Sequence, residues 1–187
     1  MRSKKLPIRE DSSVASWLSD QRTDCFSALV QIRTGDYLEL VNDAHKDRGR
    51  VAGQRDVLQT TTAKRIRSRM ISDIQAGAVL PPVVIGVVVD KSTASALDKG
   101  AHDQATLMKH LKGRELSIID GMQRTASLLE AGEADSVVFN RDMRVEFWIA
   151  TSVRALIYRM LVLNTGQVPW TLARQTIGCV RSTPCRN

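Results

Sequence analysis

The stretch LPPVVIGVVVD, Leu80 to Asp90, constrains the fold more than any other part of the chain. A Pro-Pro entry precedes a Val/Ile run that is too short and too rich in β-branched residues for a helix, so it reads as a buried strand. A buried strand needs neighbours, which the following sequence supplies. LSIID, Leu116 to Asp120, is a second apolar strand. MRVEFWIA, Met143 to Ala150, alternates Val145, Phe147 and Ile149 against Arg144, Glu146 and Trp148, the period of a half-buried strand.

Helical segments separate these strands. Thr62 can cap AKRIRSRMISDIQAG, in which Ala63, Ile66, Met70 and Ile74 share a face and Gly77 sits where a left-handed C-terminal residue belongs. Its other side carries Lys64, Arg65, Arg67 and Arg69, a solvated basic face or a nucleic-acid contact. MQRTASLLEAG, Met122 to Gly132, follows the second strand, and Thr151 can cap SVRALIYRMLVL until NTGQVPW breaks it. Between the first two strands, residues 91–114 are polar and contain one short helix from Asp103 to Leu111, which reads as an insertion or lid. The order helix, strand, strand, helix, strand, helix predicts an α+β or α/β domain with a small mixed sheet and flanking helices.

Residues 1–55 read as a helical N-terminal arm and linker. Val14, Trp17 and Leu18, then Phe26, Leu29 and Val30, fall near helical spacing, with Gly35 as a stop. KDRGRVAGQRDV is polar and glycine-punctuated, as a linker would be. The domain proper is then 56–187.

No apolar run approaches the roughly 20 residues a membrane helix needs, and no apolar core follows the basic start MRSKKLPIRE, so a cytoplasmic protein without a membrane partner is expected. Cys25, Cys179 and Cys185 form no disulfide or zinc pattern with the three histidines. The net charge of +7 is consistent with a polyanionic partner such as DNA, while an aromatic content of 4% makes a base-stacking platform for single strands a poor expectation.

The chemistry-bearing residues gather at the joint between LSIID and MQRTASLLEAG. Glycine at a strand-to-helix corner accepts positive φ and lets a ligand approach the backbone. The first helical turn beyond it has N–H groups without intrahelical acceptors and a dipole end that attracts negative charge, so a phosphate fits there. Met122, Ala126 and Leu129 share one face, and Arg124 is rotated about 200° from Met122, free to fork onto phosphate oxygens. Asp120 can orient that Arg, hold a magnesium ion or polarise a water. Read plainly, the same residues are a helix cap, a turn glycine and a surface charge.

GAVLPPVVIGVVV, IIDGMQRTASLLEAG and LVLNTGQVPW together resemble the ParB/sulfiredoxin-like superfamily, most closely its branch with DGQHR or DGQQR signatures, which includes DndB-type regulators of DNA sulfur modification and NTPase domains of phage-restriction proteins. The resemblance covers about residues 58–171. Asp120, Gly121, Gln123 and Arg124 match the signature, with Met122 where the family usually has Gln. It implies a nucleotide site at Asp120, Gly121, Met122, Gln123, Arg124 and Thr125. Asn164, Gly166 and Gln167 match a later element that closes over the same pocket, with Pro169 fixing its turn. Asp120 and Gln123 are the implied catalytic pair, and a nucleoside triphosphate with Mg2+, on Asp120, is the implied cofactor set.

Sulfiredoxin chemistry requires a cysteine inside the loop, and none stands there. A thioether at 122 cannot orient water as an amide can, which counts against turnover more than against binding. The sequence stops at TLARQTIGCVRSTPCRN, whereas relatives in the resembled family continue, so a fragment, a frameshifted end or a naturally short form is expected. Function is accordingly expected to be nucleotide binding, with or without hydrolysis, in a DNA-modification or phage-defence system alongside other subunits. The alternative is a DNA-binding regulator or partition-type protein that uses the basic helix without turnover.

Overall fold

The structure, a computed structural model, describes residues 16–23, 25–46, 61–100 and 103–165. Among them, five strands form one mixed sheet in the order β1-β2-β5-β3-β4: β1 (Ser16–Asp20), β2 (Cys25–Arg33), β3 (Val83–Val88), β4 (Leu116–Asp120) and β5 (Asp142–Ala150). β5 runs parallel to β3 and antiparallel to β2, and the two outer pairs are antiparallel. Six helices flank it: α1 (Thr34–Lys46), α2 (Thr61–Gln75), α3 (Lys91–Lys99), α4 (Gln104–Leu111), α5 (Met122–Ala134) and α6 (Val153–Thr165). The architecture is therefore α+β with a small mixed sheet.

Where it is described, the expected helical arm is instead a pair of antiparallel strands followed by one helix. Phe26, Ala28, Val30 and Ile32 recur at every second position, and three of them are buried in the main core. That period of two, rather than the near-helical spacing of Phe26, Leu29 and Val30, decides the local structure. The turn is fixed by Asp20, whose carboxylate accepts from the Arg22 N–H at 3.0 Å and the Thr23 hydroxyl at 2.8 Å. Trp17 and Phe26 then stack across the pair, 5.8 Å between ring centres. Gly35, expected to stop a helix, lies in the first turn of α1. Residues 47–60, where the domain boundary was expected, lie outside the described residues.

The strands alternate between two apolar layers. Val83, Ile85 and Val87 of β3, Ile118 of β4 and Val145, Phe147 and Ile149 of β5 face a main core that also takes Tyr37 and Val41 of α1, Ile74 of α2 and Leu128 and Ala131 of α5. Cys25, Val84, Ile119, Trp148 and Ala150 face the other way and are covered by Ala155 and Leu156 of α6. Trp148, placed on the polar side by alternation, is thus buried at 6% exposure. The Arg159 guanidinium lies over its ring, 3.6 Å from the centre.

The stretch 91–114, expected to hold one short helix, holds two among its described residues. It forms α3 and α4, whose Ala94, Leu97, Leu107 and Leu111 enter the main core. On α2, Met70 and Ile71 pack partly and Ile74 fully, whereas Ile66 is 57% exposed, so the apolar face is narrower than its sequence suggests. Arg141 secures the C-terminal end of that helix: its guanidinium donates to the carbonyls of Ile74 and, at 3.0 Å, Gln75. Its own carbonyl accepts from the Thr34 N–H and hydroxyl at 2.8 and 3.0 Å, joining the start of α1 to the same point. No helix among the described residues is long and apolar enough to cross a membrane.

Candidate functional site: the corner between β4 and α5

β4 is an edge strand among the described strands, and its pairing with β3 slips by one residue between Val84 and Ile85. Ile119 is the extra residue, so the irregularity lies immediately before Asp120 and sets where that carboxylate points. Gly121 follows with φ 108° and ψ 14°, in the left-handed region. A Cβ there would also lie 2.8 Å from a methyl of Val83. Both the turn and the close strand require glycine.

α5 starts at Met122 without a side-chain cap and with no acid in its first turn. Its opening N–H groups thus have no side-chain cap from the residue before the helix; Gly121 is buried and Met122, Gln123 and Arg124 are half-buried. Arg124 turns back over this corner and donates from Nη2 to Asp120 Oδ2 at 2.7 Å. Its side chain is only 19% exposed, while that of Asp120 is 50% exposed. Arg124 Nε–H is buried and meets no acceptor among the described residues. The guanidinium is thus held in place by one carboxylate oxygen, with donor capacity left over.

Of the residues expected at the site, Asp120, Gly121 and Arg124 are brought together as the sequence suggests, and Gln123 is half-buried in the same turn. Met122 contributes its backbone, while its side chain packs partly against the main core. Thr125 departs from expectation. It is 1% exposed, and its hydroxyl donates inward to the Gly121 carbonyl at 3.0 Å rather than facing a ligand. The helix face also differs: Thr125, Ala126, Ser127 and Leu128 are all buried, with α1, α2 and the turn of 3-10 helix at Ser136–Asn140 packed against α5. Asn164 lies in the last turn of α6, and Gln167, like Gly166 and Pro169, lies outside the described residues.

Sequence reasoning missed Tyr37. Its ring is fully buried, and its hydroxyl lies 2.6 Å from Thr125 Oγ1. Burial holds that hydroxyl well above its ordinary titration range, against the opposing pull of the Thr125 hydrogen bond and the Arg124 charge, so it remains a donor. The signal in the sequence is Tyr37 and Val41 one turn apart on a helix opened by Thr34, which the expectation of an N-terminal arm obscures.

On α2, Lys64, Arg65 and Arg69 are exposed, whereas Arg67 is tied to Glu130 of α5 by an ion pair. Among the described residues no group of three or more His, Cys, Asp or Glu side chains gathers as a metal site would. Comparison with protein-family models, curated proteins and solved structures finds no match.

Proposed function

We propose that the Asp120–Arg124 corner receives the phosphates of a nucleoside triphosphate, and that the chain is a nucleotide-binding module of a DNA-modification or phage-defence system. The observation that carries this reading is the uncapped start of α5: a left-handed glycine, a first turn without a side-chain cap and a mostly buried guanidinium with an unpartnered Nε–H beside it. The resemblance of Asp120, Gly121, Gln123 and Arg124 to the DGQHR/DGQQR signature of ParB/sulfiredoxin-like proteins supplies the ligand class.

In this reading the Met122 and Gln123 amides and Arg124 hold phosphate oxygens, and Asp120 pairs with Arg124 until a phosphate competes for it. A magnesium ion would take most of its ligands from phosphate and water, with Asp120 as the carboxylate offered at the corner. Asp120 and Gln123 are also the groups that would orient a water if hydrolysis follows.

Calorimetric titration of ATP, GTP and inorganic tripolyphosphate into the protein and into Arg124→Ala tests the reading. Binding by the parent protein, and a loss of about tenfold or more in the variant with an unchanged circular-dichroism spectrum, are expected. Equal affinity in both, or no binding by the parent, refutes it. The exposed Lys64, Arg65 and Arg69 favour a second reading, a DNA-binding regulator. Duplex DNA binding that falls steeply with salt, with tripolyphosphate silent, is the outcome that selects it.

A further inference from the structure

We propose that Tyr37 is a positioning residue for the phosphate receptor, acting through Thr125 on the peptide that opens α5. The inference rests on the reading of that corner as an anion site. Tyr37 comes from α1, 88 positions before Thr125, and its ring is fully buried. The Thr125 hydroxyl lies 3.0 Å from the Gly121 carbonyl, which can only accept, and 2.6 Å from the Tyr37 hydroxyl, where either oxygen can donate; with its one proton on the carbonyl, Thr125 Oγ1 accepts from the tyrosine O–H. The Thr125 N–H donates to the same carbonyl at 2.8 Å.

Two donors therefore hold one carbonyl oxygen. A trans peptide is planar, so the C=O of Gly121 and the N–H of Met122 lie in one plane and point in opposite directions. Holding the oxygen inward fixes the Met122 N–H outward, at the place where a phosphate oxygen would sit. Gly121 is the most permissive residue in this loop, and without the second donor its peptide could tilt. A phenylalanine would fill nearly the same volume without the hydroxyl, so its contact with Thr125 is what that exchange removes. In this inference that contact locks the Thr125 rotamer, and through it the direction of the amide.

The test titrates inorganic tripolyphosphate into the parent protein, Tyr37→Phe, Thr125→Ser and Thr125→Val, with denaturant unfolding of each to show it is folded at the assay temperature. Affinity is expected to fall about tenfold in Tyr37→Phe and in Thr125→Val, and to be retained in Thr125→Ser, which keeps the hydroxyl. A general loss of stability would not follow that pattern of rescue. Parent-like affinity in a folded Tyr37→Phe overturns the positioning role while leaving the phosphate reading in place. If Tyr37→Phe does not fold, parent-like affinity in Thr125→Val overturns it equally. No tripolyphosphate binding by the parent protein defeats both at once.

Discussion

Two helices of this molecule begin after a strand and an acid, and they treat the acid differently. At the start of α3, Asp90 is itself the cap: its carboxylate accepts from the Thr93 N–H and hydroxyl, both at 2.8 Å, and from Arg114 at 3.1 Å. At the start of α5 a left-handed glycine stands between the acid and the helix. Asp120 is thereby displaced by one residue, binds Arg124, and leaves the first-turn amides without a side-chain acceptor. The same ingredients thus yield a closed helix end in one place and an open one in the other. One glycine in the left-handed region makes the difference.

The strongest way to break the contrast is Gly121→Ala. The new Cβ must adopt a disfavoured φ and meet Val83 at 2.8 Å, so a destabilisation of about 2–3 kcal/mol is expected by urea unfolding, together with loss of tripolyphosphate binding. Stability equal to the parent would show that the corner relaxes and that its conformation is not demanded.

Asp120→Asn sharpens the contrast rather than breaking it. The Asp120–Arg124 pair is partly exposed, and such pairs contribute about 0–1 kcal/mol, so melting should change little. Released from the carboxylate, Arg124 should bind tripolyphosphate several-fold more tightly in metal-free buffer. With magnesium present the gain should shrink or reverse, because the carboxylate offered to the ion is gone. Titrations with and without the metal separate the two roles, and identical curves for parent and variant would remove Asp120 from the site.

The smallest effect concerns the closed end. Hydrogen bonds from Ser92, from the Thr93 amide and from the Thr93 hydroxyl hold the Asp90 carboxyl well below its ordinary range. A depressed folded value contributes stability that is fully present above the unfolded carboxyl's titration, near 3.8, and is lost as pH falls through the lower folded value. Asp90→Asn should therefore flatten the melting temperature slightly between pH 5 and the acid limit while leaving tripolyphosphate affinity unchanged. A change in affinity would couple the two helix starts, contrary to the account above.

The second half of the fold was legible because its strands follow β-branched runs, and its helices carry capping and glycine signals: β3, β4, β5, α2, α4, α5 and α6 all lie where periodicity places them. The corner at Asp120 was legible too, since glycine between a strand and a helix restricts the backbone to few options. The N-terminal part misled because β2 mixes both layers. Cys25 joins one apolar layer, Ala28, Val30 and Ile32 the other, and partly buried Leu29 blurs a period of two into something near 3.6. The one-turn spacing of Tyr37 and Val41 marks the ring as buried, but its hydroxyl partner, 88 positions away, leaves no local trace. The burial of Trp148 likewise depends on where α6 returns, which is a property of topology rather than of alternation.

The sheet order also dictates when the chain can fold during synthesis. β2 pairs along its length with β5, and the Ser27 to Glu146 hydrogen bond joins residues 119 apart. At ordinary ribosomal speeds that interval takes roughly 6–24 s, during which the hairpin leaves the exit tunnel with one flank bare. A nascent chain in that condition is a substrate for chaperones and for pairing with its neighbours on the polysome. Codon choice between the two strands should therefore influence yield far more than codon choice after the second of them has emerged.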